Sequence, residues 1–138
     1  MKITVNAKCP CQSGKKYKHC CMLFHKGAIA KTALELMRSR YSAYAANDYK
    51  YIIKTTHTQN PDFTLDDKMW GESILEFSRS SEFHNLNILE FIEGSEEAYV
   101  TFEAVISQDL NDATFTEKSK FLKDKGRWFY HSGKMYNN

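Results

Sequence analysis

The chain contains the run Tyr99-Val100-Thr101-Phe102-Glu103-Ala104-Val105-Ile106-Ser107, in which every second side chain from Val100 to Ile106 is apolar. Successive side chains of a β-strand point to opposite faces, so Val100, Phe102, Ala104 and Ile106 share one face. Because that face needs a core to cover it, the run predicts a half-buried strand.

Three further segments around this run have the same two-residue period. Residues 86–92 precede it across the turn Glu93-Gly94-Ser95-Glu96, and residues 115–123 and 127–131 follow it. Consecutive strands joined by short turns are typical of an antiparallel meander.

The chain before residue 83 has a helical period instead. Thr32 and Glu35 fit a capping box at the start of an amphipathic helix with one apolar side. A shorter helix over 49–55, capped by Asp48, and a third over 65–79 are predicted next. Helices first and a meander afterwards predict an α+β fold, in which three helices cover one face of a curved antiparallel sheet.

Composition and charge limit the class of protein. The 138 residues suffice for one domain, and the share of hydrophobic and charged residues is that of a folded, soluble chain. Residues 1–27 contain six lysines and no acidic residue, which leaves 13 basic against 17 acidic residues in the rest. A basic head of this kind favours phosphates, acidic lipid or an acidic protein surface. The sequence has no signal-peptide pattern and no membrane span, so we expect a cytoplasmic protein.

All four cysteines lie in the segment 9–21, as Cys9, Cys11, Cys20 and Cys21. Thiolates on two tight turns are suitable ligands for zinc, which prefers four soft ligands at tetrahedral corners. The alternative is two disulfides, which four cysteines can form in three ways, although a reducing cytosol disfavours them. His19 is an alternative ligand, but with four cysteines available we interpret it as a basic surface residue.

The segment Cys9-Pro10-Cys11-Gln12-Ser13-Gly14-Lys15-Lys16-Tyr17-Lys18-His19-Cys20-Cys21 resembles the SEC-C motif, the zinc-binding signature found in the translocation ATPase SecA and many other proteins. The resemblance implies that the four cysteines bind zinc. Gln12 departs from the motif, which usually has glycine there.

The remaining chain resembles the YchJ-like bacterial family in three places. These are Leu36-Met37-Arg38-Ser39-Arg40-Tyr41-Ser42-Ala43-Tyr44, then Glu117-x-Ser119-x-Phe121, and Gly126-Arg127-Trp128-Phe129-Tyr130. The family implies a SEC-C motif over 1–25 and a cone-shaped domain similar to nuclear transport factor 2 over 28–138. Its function is largely unassigned, and dimers are common in this fold type, so a homodimer is one expected assembly.

Folds of this cone type can hold a cavity between helices and sheet. Alternation places Glu117 on the inward face beside Phe115, Ser119 and Phe121, where a carboxylate needs a partner or a raised pKa. Arg40 or Arg38 could pair with it, either as a structural ion pair or as part of a ligand site. The predicted pocket residues are Arg40, Tyr41, Tyr44, Trp70, Glu117, Ser119 and Trp128.

Two functions follow as hypotheses. In the first, Lys15, Lys16 and Lys18 of the zinc motif bind an unknown protein or a ribosome-associated partner, by analogy with the contacts that the motif of SecA implies. In the second, the cone domain is a small-molecule-binding protein or an isomerase- or dehydratase-like enzyme around Glu117. The sequence assigns no catalytic residue.

Overall fold

The computed structural model describes residues 3–136. The segment 3–25, called the knuckle below, contains the 3-10 turn Tyr17–His19 and a short helix. The helices are α1 (Cys21–His25), α2 (Ala33–Ala45), α3 (Tyr49–Lys54) and α4 (Asp67–Ser80). The strands are β1 (Ser81–Ile92), β2 (Glu97–Gln108), β3 (Asn111–Asp112), β4 (Phe115–Asp124) and β5 (Arg127–Tyr136). The predicted α+β order is confirmed, while residues 1 and 138 of the predicted unit boundaries lie outside the described residues.

The sheet has the order β1-β2-β4-β5, with every neighbouring pair antiparallel and β3 added to β2. Its pairing shifts register at Phe83/Asn85 and Ile88/Glu90 in β1, and at Lys120/Phe121 between β4 and β5. Such bulges bend the strands and curve the sheet. The buried face of β2 carries Val100, Phe102, Ala104 and Ile106, as the alternation predicted.

Helix α2 begins at the predicted capping box. The Thr32 hydroxyl accepts a hydrogen bond from the Glu35 N–H at 3.1 Å, and the Glu35 carboxylate accepts one from the Thr32 N–H at 3.3 Å. More of the helix is buried than the one predicted apolar side, because Ser39, Arg40 and Ser42 are buried as well. The knuckle covers one side of α2 and the sheet covers the other, so α2 is a central helix.

The end of α3 is fixed to the last strand. The Tyr130 N–H donates to the Thr55 carbonyl at 2.9 Å, and the His57 N–H donates to the Tyr130 carbonyl at 2.8 Å. Thr56 and Tyr130 form a parallel bridge at the same place. These bonds hold the α3 C-terminus beside β5 at one end of the concave face of the sheet.

Helix α4 packs against β1 of the sheet, and it contacts α3 at Gly71. A β-carbon at Gly71 would come 2.7 Å from the Tyr49 ring, so only glycine permits this approach of the two helices. Within residues 3–136, no helix is both long and apolar enough to cross a membrane.

Candidate functional site

The four cysteine sulfurs of the knuckle lie within 4.8 Å of one another. Cys11 Sγ is 3.6 Å from Cys20 Sγ, which is 4.0 Å from Cys21 Sγ, and all four residues are free thiols. A tetrahedral metal with about 2.3 Å metal–sulfur bonds places its sulfurs about 3.8 Å apart. The cluster therefore fits a metal ion in both donor type and spacing.

Tight turns bring the two cysteine pairs together. The Cys9 N–H donates to the Lys15 carbonyl at 2.9 Å, and Gly14 has a positive φ of 87°. Gln12 also has a positive φ, 66°, which costs an L-residue about 1–2 kcal/mol. This conformation gives a physical reason for glycine at that place in other SEC-C motifs.

Side chains around the cluster join it to α2. Arg38 Nη1 donates to the Cys11 carbonyl at 2.6 Å, and the Ser42 hydroxyl lies 3.3 Å from Cys9 Sγ. Within the knuckle, Ser13 Oγ lies 3.1 Å from Cys20 Sγ. Hydroxyl and guanidinium donors of this kind orient metal ligands from outside. No sequence pattern indicates that Arg38 and Ser42 contact the cysteine residues, because these contacts are purely tertiary; Arg38 was expected instead as a possible partner of Glu117.

Crowding of the thiols makes their protonation interdependent. A hydrogen bond between Cys21 and Cys11 lowers the pKa of Cys11 and raises the pKa of Cys21, while burial raises the pKa of Cys20 to about 11. One thiolate is thus favoured at the expense of its neighbours. A bound divalent cation supplies the charge that stabilises several thiolates at once.

His25, whose side chain is only 5% exposed, connects the knuckle to α2. His25 Nε2 lies 2.8 Å from the Ser39 carbonyl, and the Tyr17 hydroxyl lies 2.6 Å from His25 Nδ1. Because a carbonyl only accepts, Nε2 carries the proton and Nδ1 accepts from Tyr17. Burial lowers the pKa of His25, which keeps the ring neutral in this arrangement.

A second candidate site is a cavity of about 620 Å³ between α2, α4 and the sheet. Apolar side chains form most of its wall. They are Met37, Tyr41, Tyr44, Met69, Trp70, Ile74, Phe77, Phe83, Phe102, Ala104, Ile106, Phe115 and Phe121. This volume and lining are those of small-molecule sites in proteins.

Glu117 occupies the polar end of this cavity. Its Oε2 accepts hydrogen bonds from the Ser119 hydroxyl at 2.5 Å and the Tyr130 hydroxyl at 3.1 Å. The expected ion pair is not formed: among the described residues, neither Arg40 nor Arg38 comes within 4.0 Å of the carboxylate. Oε1 has no hydrogen-bond partner in the same part of the chain.

Arg40 lies at the same end and is only 8% exposed. Its Nη1 donates to the Ile52 carbonyl at 3.1 Å and to the hydroxyls of Thr55 and Thr56 at 2.7 and 3.1 Å. The guanidinium stacks on the Tyr130 ring at 4.5 Å. Within residues 3–136, its Nε and Nη2 have no hydrogen-bond partner.

Two tyrosines supply hydroxyl groups here. Burial raises the pKa of Tyr44 and of Tyr130, and the Glu117 charge raises both further. Both phenols are therefore neutral near pH 7, and that of Tyr130 donates to Glu117.

The structure brings together Arg40, Tyr41, Tyr44, Trp70, Glu117 and Ser119 around the cavity. Trp128 is not among them: its indole N–H donates to the Lys31 carbonyl at 3.3 Å, because the segment before α2 covers the start of β5. Sequence reasoning left out Asp62 at the rim, whose loop position gave no signal.

The predicted knuckle residues are also located. Lys15, Lys16 and His19 are exposed and Lys18 is half-buried. His19 does not belong to the sulfur cluster.

Comparison with known proteins assigns the family. Residues 32–133 match the pattern of the YchJ middle domain, which is described as similar to nuclear transport factor 2. The chain belongs to the YchJ family. Residues 6–23 match the SEC-C motif.

Relatives in this family cover nearly the whole chain. A UPF0225 protein of Pectobacterium carotovorum is 38% identical over 94% of this chain and 84% of its own length. A UPF0225 protein of Corynebacterium efficiens is 36% identical over 91% and 92%, respectively.

Two solved structures are similar in fold. A SEC-C motif protein from Rhodopseudomonas palustris has a TM-score of 0.79 and 31% identity, over 94% of this chain and 98% of that one. A SEC-C motif protein from Psychrobacter arcticus has a TM-score of 0.78 and 25% identity, over 97% of this chain and 86% of that one.

Proposed function

We propose that this YchJ-family chain is a small-molecule-binding protein whose binding site is the cavity of the cone domain. The carrying observation is the Glu117 carboxylate, which faces an aromatic cavity and has no cation within 4.0 Å among the described residues. Glu117 is half-buried, and its Oε2 accepts two hydrogen bonds while its Oε1 has no hydrogen-bond partner among the described residues. A ligand that donates to Oε1 would add a charge-assisted hydrogen bond there.

Binding is the part of the enzyme hypothesis that the geometry supports. Glu117 is also the group that would act as a base in an isomerase- or dehydratase-like reaction. Both a binding function and an enzymatic function require a ligand in the cavity, so binding is tested first.

The test uses a variant that fills the cavity. Ala104 lines the wall and is almost fully buried, whereas its neighbour Val105 is on the other face of β2. We expect Ala104→Leu to weaken binding of 2-phenylethanol, followed by NMR shifts of cavity residues, and the control Val105→Leu to leave it unchanged. Absence of cavity shifts in the unmodified protein with 2-phenylethanol, 3-phenyllactate, phenylalanine, 3-phenylpropionate and phenethylamine alike would overturn the proposal.

We further propose that the knuckle binds one zinc ion through Cys9, Cys11, Cys20 and Cys21. The sulfur spacing and the hydroxyl groups beside the sulfurs support this ligand set. Zinc would cross-link the two turns of the knuckle. Metal analysis should find about one zinc per chain, and Cys20→Ser should lower that amount, whereas the adjacent control His19→Ala should not.

The second candidate function is docking of a macromolecular partner on the knuckle. Lys15 and Lys16 are exposed next to the cysteine cluster, in a segment without acidic residues. A cationic surface of this kind attracts anionic partners such as ribosomal RNA in a salt-dependent way.

Co-sedimentation with bacterial ribosomes tests this candidate. The triple change of Lys15, Lys16 and Lys18 to Gln should abolish salt-sensitive co-sedimentation. A matched triple change of Lys50, Lys54 and Lys68 to Gln, on the surface of the other domain, should preserve it. Equal behaviour of the two triples would exclude the knuckle as the docking surface.

A further inference from the structure

The polar end of the cavity contains an arginine edge with unused donors. Nη1 of Arg40 is held by the Ile52 carbonyl and the Thr55 and Thr56 hydroxyls, so the guanidinium is fixed in place before any ligand binds. The remaining edge, Nε–H and Nη2–H, is a pair of parallel donors. This fork matches the two oxygens of a carboxylate. At 8% exposure Arg40 has lost most of its water, so an anion there would gain a strong, directional pair.

The Glu117 carboxylate complements this edge with an acceptor. Ser119 and Tyr130 both donate to Oε2, which leaves Oε1 for a hydrogen-bond donor. The Tyr130 ring stacks against Arg40 while its hydroxyl bonds Glu117, so one tyrosine holds the two charged groups at a fixed separation. A ligand that meets both groups needs a carboxylate and, close to it, a donor.

The charges at this end argue against simpler ligands. A plain carboxylate would pair with Arg40 but approach the negative Glu117, and a plain amine would pair with Glu117 but approach Arg40. An uncharged hydrocarbon would leave the Nε/Nη2 edge of Arg40 and Oε1 of Glu117 without partners and would displace water from both. The rest of the wall is aromatic and aliphatic, which suits a ring or a branched apolar body.

We propose that the cavity binds small carboxylic acids that carry a hydroxyl or ammonium group on the neighbouring carbon and an apolar, ring-sized body. The carboxylate lies on the Nε/Nη2 edge of Arg40, and the neighbouring donor bonds Glu117 Oε1. This inference rests on the proposed small-molecule function and adds the ligand class to it.

The test compares four probes with the same phenylethyl body. Racemic 3-phenyllactate and racemic phenylalanine carry both a carboxylate and a neighbouring donor. 3-Phenylpropionate lacks the donor, and phenethylamine lacks the carboxylate. We expect one of the first two to bind at least about tenfold more tightly than the last two, which corresponds to one lost charged hydrogen bond. Comparison of phenyllactate with phenylalanine then distinguishes a hydroxyl from an ammonium donor.

Two variants test which protein group binds each polar end of the ligand. Glu117→Gln should remove most of the advantage of the preferred acid over 3-phenylpropionate, and the control Glu90→Gln on the exposed part of β1 should not. Arg40→Lys keeps the charge but lacks the fork. It should therefore weaken the binding of the preferred acid and of 3-phenylpropionate, and leave the binding of phenethylamine unchanged.

The outcomes separate the two proposals. Equal affinities for all four probes, or tightest binding of phenethylamine, would overturn the ligand class while the binding function stands. Failure of every probe, together with failure of 2-phenylethanol, would overturn the binding function and this inference with it.

Discussion

Gly133 provides the space that the Glu117 side chain occupies. A β-carbon at this position would overlap Glu117 Oε2 and come 2.6 Å from the Tyr130 hydroxyl. The hydrogen bond between Tyr130 and Glu117 therefore depends on the absence of a side chain at Gly133, which lies opposite Ser119 on the neighbouring strand β5. No spacing in the sequence reveals this dependence.

The first prediction tests this dependence. Gly133→Ala should lower the free energy of unfolding by about 1–3 kcal/mol, because the added methyl group overpacks the site. In a Glu117→Ala background the same change should cost much less, since the overlapping carboxylate is gone. Urea denaturation of the four proteins measures both effects, and additive changes would contradict the assigned contact.

The second prediction concerns His25. Its pKa is lowered in the folded protein by burial, with the Ser39 carbonyl and Asp48 acting in the opposite direction. The unfolded chain, with a histidine pKa of about 6.5, takes up the proton first as the pH falls. The stability due to neutral His25 is therefore complete above pH ~6.5 and declines below it.

Urea denaturation between pH 8 and pH 5 measures this loss. His25→Gln cannot titrate, so its free energy of unfolding should fall less steeply below pH ~6.5 than that of the wild type. Protonation of the thiolates affects both proteins alike and cancels in the comparison. Parallel curves would show that His25 does not contribute to the pH dependence.

At the scale of elements, Gly71 shows a conflict between helix propensity and packing. Alanine in the middle of α4 favours the helix by about 1 kcal/mol over glycine. The Tyr49 ring, however, would be 2.7 Å from the new β-carbon. We expect Gly71→Ala to destabilise the wild type and to stabilise a Tyr49→Ala variant, as measured by thermal unfolding. The same sign in both backgrounds would refute the packing explanation.

The elements also show what the sequence could predict. The Thr32 box and the Asp48 cap marked the starts of α2 and α3, because caps depend on local chemistry. Strand β1 begins five residues before the predicted start at 86, because its two bulges interrupt the two-residue period. Strand β5 continues past residue 131 through polar residues that only its pairing with β4 reveals.

At the scale of the whole molecule, the two candidate sites differed in how much the sequence disclosed. Cysteine spacing was enough to group the sulfurs, because the ligands lie on two short turns. The alternation of β4 was enough to predict that Glu117 faces inward. Its separation from Arg40 could not be predicted, because it depends on where α3 ends against β5. The burial of α2 on a second side required the docked knuckle, which no local pattern encodes.

Metal removal is the prediction at this scale. Chelation should increase hydrogen exchange in residues 9–25 and in the turn of α2 from Arg38 to Ser42, which contacts the cysteine residues. The β2–β4 core should retain its protection, because its buried contacts do not involve the cysteines. Loss of protection throughout the sheet would show that the knuckle is needed for the whole fold.

Arg38 and Arg40 stand two positions apart on α2, one bonded to the Cys11 carbonyl and the other placed in the cavity. Each residue advances an α-helix by about 100°, so a one-residue insertion between Ala33 and Arg38 would rotate both arginines away from their sites together. The residue count of α2 is therefore constrained by two sites at once. We expect length differences among homologous chains to avoid this helix.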